Sequence, residues 1–246
     1  MPKSIVDAFD DFFEMIPAIS ESLKLEVYNL RYQVYCLETG FEDSARHPDH
    51  IEKDEFDDSS IHYLIRHKRL NTYAATTRLI LPDAKEPERL FPIEIHSQID
   101  NHAALENIAR CKLGEVSRFC VSKEFKNRKK EAGTLTGISA DHDDYFSEDE
   151  RRSFPHITIA LIACLIKISA EHDIQYWFAV MEPALLRFLS TLGIHFTHIG
   201  PLTEYHGKRQ PSVIKVSDLL DGVEKKHPEL WDMLTLRGLY ADAFKA

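Results

Sequence analysis

The run Ile157–Ile168 is interrupted by one charge, Lys167, and it limits the fold more than any other segment. It falls short of the ~20 apolar residues that a bilayer-spanning helix needs. Pro155–His172 therefore reads as a helix buried inside a folded protein. Ile174–Val180 follows as a strand. Pro183–Leu192 is a further helix, with proline near its start and Gly193 just past its end. Strands are expected near Phe196–Ile199 and Val213–Val216, and Ser217 is placed to cap a C-terminal helix.

The N-terminal half follows a different plan. Ile5, Phe9, Phe12, Phe13 and Ile16 recur at helical spacing among acids, so one amphipathic helix is expected up to Pro17. Its apolar face either packs into the core or covers a ligand groove. Ser20 can cap a second helix running to about Leu37, with Leu23, Val27, Leu30, Val34 and Leu37 as its stripe. Arg31 lies beside that stripe, where an unpaired charge is costly. Residues 40–60 read as irregular. Ile61–Arg66 and Thr72–Leu81 form a hairpin around Lys68–Asn71. A proline-rich loop spans 83–92, Ser97–Ala109 reads as a helix, and Glu115–Val121 as a strand. The polar segment 129–152 reads as a mobile insertion, either a lid over a bound ligand or a surface loop. The order of elements predicts a single α/β (α+β) domain over 1–246, with a mixed central sheet flanked by helices.

The chain has 246 residues and a formal net charge of -10. That argues against a general nucleic-acid binder, which usually shows a basic face. Cys36, Cys111, Cys120 and Cys164 form no CxxC pair. Lys3 is followed by acids, not by the apolar run of a signal peptide. Free thiols in a reduced, cytoplasmic setting are expected. The histidines lack zinc-ligand spacing, so no metal site is expected.

Four segments carry a resemblance. They are Leu30–Tyr35 with Gly40–Glu42, Glu52–Asp57, Thr77–Pro82 and Glu115–Phe119. In order and spacing they resemble the motifs of acyl-homoserine-lactone synthases and N-acyl amino acid synthases. The Leu-Arg-Tyr-Gln-Val-Tyr form is most similar to the PEP-CTERM/exosortase-associated acyltransferases. The resemblance implies the GCN5-related N-acetyltransferase (GNAT) fold. It also implies transfer of a fatty acyl group from a thioester to a small amine, with no tightly bound cofactor. Two alternatives stay open: a lactone-type autoinducer synthase, and a non-catalytic acyl-carrier-binding protein on the same scaffold. Phe41 stands where lactone synthases usually carry Trp, which weakens an S-adenosylmethionine acceptor. The Gly-rich loop that holds coenzyme A pyrophosphate in ordinary GNAT enzymes is missing after Val121. Helix Pro183–Leu192 has no Tyr to protonate the leaving thiolate.

Under this resemblance each site residue has two readings. Glu115 is a relay for the amine proton or the partner of a buried arginine. A backbone N–H near Phe119–Val121 polarises the carbonyl. Strand alternation puts Glu115, Ser117, Phe119 and Val121 on one face, and Arg118 on the other unless a bulge intervenes. Arg118 is then a scaffold paired with Asp54 or Asp57. Arg78 is divided between pairing and binding an acceptor carboxylate, for which its rigid fork is suited. Arg31 orders the acidic segment in preference to touching substrate. Asp54 and Asp57 bind an acceptor ammonium group or cap their loop. Tyr35 and Phe41 complete the substrate-binding set. Lys123, Lys126 and Arg128 are solvated, or they steer an acidic acyl carrier protein, which is favoured over coenzyme A as donor.

Overall fold

The computed structural model describes residues 3–126, 146–204 and 207–245. Its helices and strands alternate in an α/β arrangement with a mixed sheet. In chain order they are α1 (Ile5–Phe12), β1 (Phe13–Pro17), α2 (Glu21–Tyr32), β2 (Ser60–His67), β3 (Thr72–Ile80), α3 (Pro92–His96) and β4 (Leu113–Val121). There follow α4 (Glu148–Ser153), α5 (Pro155–Glu171), β5 (Tyr176–Met181), α6 (Pro183–Thr191), β6 (Thr197–His198), β7 (Thr203–Glu204), β8 (Lys208–Lys215), α7 (Val216–Lys226) and α8 (Pro228–Leu234). The strand order is β1-β2-β3-β4-β5-β8-β6, and β7 pairs with β8. β4 and β5 are parallel, while β5–β8 and β1–β2 are antiparallel.

Contacts divide the chain into two compact units with interleaved segments: 1–57, 61–78 and 118–164, and 58–60, 79–117 and 165–246. In the first unit the stripe expected along the second helix packs inward except at its end, where Leu37 is 63% exposed. Val27, Leu30 and Val34 cluster with Tyr35, Leu64 and Cys120, and Leu23 and Phe41 pack against them. A second centre is aromatic. Phe125 lies 5.4 Å from Phe146 and 5.6 Å from Phe154, with Phe13 against both Phe125 and Phe154. In the second unit the buried Trp177 donates its indole N–H to Ser169 Oγ at 2.8 Å, so its polar atom is satisfied. Gly193 and Gly222 touch backbone to backbone. A Cβ on Gly193 would lie 2.3 Å from the Gly222 carbonyl oxygen, so neither position admits a side chain.

Four elements differ from the sequence expectation. The first helix stops at Phe12, and Phe13–Pro17 pairs with β2 as an edge strand, from Phe13 opposite His67 to Pro17 opposite Tyr63. Sheet pairing outweighs the helical period here, and Pro17 ends a strand rather than a helix. The second helix changes to a π turn over Gln33–Glu38. The expected helix 97–109 is absent. Pro92 instead starts the short α3, whose Glu94 accepts the Phe91 N–H at 2.8 Å, and 102–104 forms only a 3-10 turn. Finally, α7 starts at Val216, so Ser217 lies inside the helix and does not cap it.

The segment 129–152 is described only from 146 onward. There it is folded: Phe146 is buried, Ser147 caps α4, and the buried Glu150 pairs with Arg69 at 2.8 Å. Residues 146–152 are held by these buried aromatic and ionic contacts. The rest of that segment lies outside the described residues.

All four cysteines are free thiols, and only Cys111 is exposed. Among the described residues no helix is long and apolar enough to cross a membrane.

Candidate functional site

Arg31 lies on α2 beside the packed stripe and is 0% exposed. A guanidinium in that position requires anions around it. The acidic segment Glu52–Asp57 supplies them. Arg31 Nε donates to Glu52 Oε2 at 2.5 Å and Nη1 to Asp57 Oδ1 at 2.6 Å. Arg78, on β3, grips Asp54 through both oxygens at 2.6 and 2.7 Å and also reaches Asp57 at 2.6 Å. Arg118, on β4, donates to Glu52 from Nη2 at 2.8 Å, and its Nη2 is 3.1 Å from Asp54 Oδ2. Three arginines and three carboxylates thus form one lattice of zero net charge. The acidic loop is folded to fit it. The Asp54 N–H donates to Asp57 Oδ2 at 2.7 Å, and the Phe56 N–H to Asp54 Oδ1 at 3.0 Å. Tyr28 lies under Arg31 and Tyr35 under Arg118, each at 5.5 Å, where a ring face attracts the cation.

Burial alone would raise the carboxyl pKa values. The neighbouring arginines outweigh it, bringing Glu52 down to about 2 and holding Asp54 and Asp57 below their usual range. For Arg31 and Arg118 burial works against the charge, but Glu52, joined by Asp57 for Arg31 and by Asp54 for Arg118, offsets it and keeps both firmly protonated. Burial pushes the Tyr35 phenol well up, and the Cys120 thiol up to about 12. Neither is a nucleophile at neutral pH.

His62, on β2, is enclosed beside the lattice, with Nε2 3.6 Å from Asp57 Oδ1. Burial and the nearby Arg31 charge lower its pKa to about 4, against the pull of Asp57. Between the ordinary value near 6.5 and pH 4 the unfolded chain therefore binds a proton that the folded chain refuses. This part of the stability is complete above pH 6.5 and is lost as pH falls towards 4, in total about 3 kcal/mol. Urea unfolding of His62→Gln across this window is expected to show a flatter pH dependence than the parent chain. Equal slopes would contradict the assignment.

Along β4 the two ends serve different units. Glu115 is buried, and its Oε2 accepts the Ile93 N–H at 2.9 Å. It sits opposite Phe178 in the parallel β4–β5 register, which runs from Leu113 to Val116 on β4. Further on, Arg118 adopts φ 50°, a left-handed conformation that costs a non-glycine residue about 1–2 kcal/mol. Beyond it Cys120 and Val121 are both buried, while Phe119 is half-buried. Through this turn of the chain Arg118 reaches the lattice.

Residues 30–135 match the family model described as an acetyltransferase (GNAT) domain. Solved structures agree over nearly the whole chain. A CoA-dependent acyl-homoserine lactone synthase, BjaI, in a structure with MTA, is 15% identical with a TM-score of 0.57, covering 93% of this chain and 99% of its own. This is a GNAT-like fold. The acyl-homoserine-lactone synthase LasI is 17% identical (TM-score 0.54, 86% and 96% covered). FeeM, an N-acyl amino acid synthase from uncultured soil microbes, is 15% identical (TM-score 0.52, 85% and 93% covered). No curated protein matches the chain.

Within this GNAT-like fold the sequence motifs converge on the lattice. Arg118 pairs with Glu52 and Asp54, one of the two aspartates expected as its partner. Glu52 was not singled out in the sequence as a site residue, although it lies within the acidic motif. Its spacing from Asp54 and Asp57 was the available signal. Arg31, Arg78 and Asp57 are enclosed among one another, while the Asp54 side chain remains 25% exposed. Tyr35 and Phe41 belong to the α2 core cluster. Lys123 is exposed, but Lys126 is buried, with its charge near Cys120. Lys126 is thus no part of a solvated basic surface, and Arg128 lies outside the described residues.

Proposed function

We propose that the chain is an N-acyltransferase that moves a fatty acyl group from a thioester donor to the amine of a small acceptor, an amino acid in the first instance. One observation carries this reading. The acetyltransferase-domain match over 30–135 contains every sequence motif of the site in order, including the acidic segment that three arginines hold in place. In the reaction the amine attacks the thioester carbonyl, a C–N bond forms, and the C–S bond breaks to release a thiolate. Glu115 relays the amine proton. A backbone N–H near Phe119–Val121 faces the developing oxyanion, and such a donor contributes ~3 kcal/mol. Asp54, the most open carboxylate of the lattice, receives the acceptor's ammonium group before deprotonation.

The preferred donor is an acyl carrier protein, with coenzyme A thioesters second. The form of the Leu30–Tyr35 motif supports a place beside a PEP-CTERM/exosortase surface-sorting system. Likeness to lactone synthases supports a second reading, autoinducer synthesis from S-adenosylmethionine, which Phe41 opposes. The test is incubation of the purified chain with acyl carriers and either an amino-acid mixture or S-adenosylmethionine, followed by mass spectrometry. N-acyl amino acids are expected. Acyl lactone alone would favour the second reading, and no thioester turnover would remove both.

A further inference from the structure

The π turn Gln33–Glu38 is unexplained by the lattice. Its wide turn is held by the Thr39 N–H donating to Val34 O at 3.1 Å, and the Thr39 hydroxyl donates to the same carbonyl at 2.8 Å. The result is that Glu38 is carried to the exit of β4. There Glu38 Oε2 accepts the Lys123 N–H at 2.9 Å. Its Oε1 accepts from Gln33 Nε2 at 2.8 Å and from the Ser122 hydroxyl at 3.3 Å. Gln33 Nε2 also reaches Ser122 Oγ at 3.2 Å, so the carboxylate is fixed from two sides.

Backbone N–H groups in succession after a strand are what binds a pyrophosphate. Here four of them, at Ser122, Lys123, Phe125 and Lys126, are committed elsewhere. The Ser122 N–H donates to Ala74 O at 2.8 Å, the Phe125 N–H to Ser122 O at 3.0 Å, and the Lys126 N–H to Lys123 O at 3.3 Å. The Lys123 N–H is taken by a side-chain anion. A pyrophosphate arriving at this loop would have to displace Glu38 and would meet its charge.

We propose, resting on the thioester-transfer reading above, that Glu38 is a specificity-determining residue that selects a phosphopantetheinyl carrier arm over coenzyme A. It fills the amide that opens the loop after β4 and sets a negative charge beside it. Coenzyme A brings a pyrophosphate and a further phosphate. A carrier arm brings one phosphodiester.

The test compares the full chain with Glu38→Gln and Glu38→Ala by calorimetry, using coenzyme A and pantetheine as probes. Pantetheine lacks phosphate and reports the shared part of the donor. Coenzyme A is expected to bind about tenfold tighter to both variants, while pantetheine changes less than about twofold. The kcat/KM ratio of acyl-coenzyme A to acyl-pantetheine should rise by the same factor. Equal shifts for both probes, no shift, or no coenzyme A binding by any of the three proteins would overturn the proposal. Loss of a cooperative melt in both variants would make Glu38 structural and overturn it as well. Tighter coenzyme A binding without turnover of any donor would support the role of Glu38 while removing the thioester-transfer reading.

Discussion

Arg31→Met is expected to lower the unfolding free energy by about 3–5 kcal/mol, the range for breaking a buried ion pair from one side. The side chain is fully enclosed, and Glu52 and Asp57 each lose a charged partner at 2.6 Å or less. Methionine fills a similar volume, so the loss reports charge rather than a cavity. Denaturant unfolding at pH 7 measures it. Adding Asp57→Asn removes one stranded charge and should recover part of the loss, with a coupling of about 1–3 kcal/mol. A single-variant loss below about 1 kcal/mol, or strict additivity, would contradict a lattice acting as one unit. Arg118→Ala should cost less, because that side chain is 21% exposed.

The second large effect concerns turnover. Glu115→Gln is expected to reduce kcat at saturating donor by about 10²–10⁴-fold, the usual share of a positioned proton relay. The fold should tolerate it, because the glutamine oxygen can still accept the Ile93 N–H. A melting temperature within about 2 °C of the parent is the accompanying expectation. Unchanged turnover in a folded protein would remove Glu115 from the relay and leave it as an anchor for α3.

Much of this molecule was legible from short-range pattern. The β2–β3 hairpin, α5 and β4 declare themselves because alternation or continuous apolarity repeats over enough residues to be unambiguous. The acidic motif and its arginines were legible as partners because charges near packed stripes must find each other. What escaped the sequence depends on contacts between distant segments. Phe13 fits a helical stripe, and only pairing with His67 turns it into strand. The left-handed backbone of Arg118 has no local signature in the sequence. Lys126 reads as a surface cation until its burial near Cys120 is seen. The commitment of Glu38 to Lys123 links residues 85 positions apart, a separation at which no periodicity speaks.

The lattice has a consequence for how the protein responds to ions in solution. Three cations and three anions cancel within it, so the whole formal charge of -10 resides elsewhere in the chain. Mobile ions screen exposed charges over about 10 Å at 0.1 M and scarcely reach enclosed ones. Added salt therefore separates two processes that mutation would mix. It screens the exposed charge that any charged molecule meets on approach, and it leaves the internal ionic framework nearly at full strength.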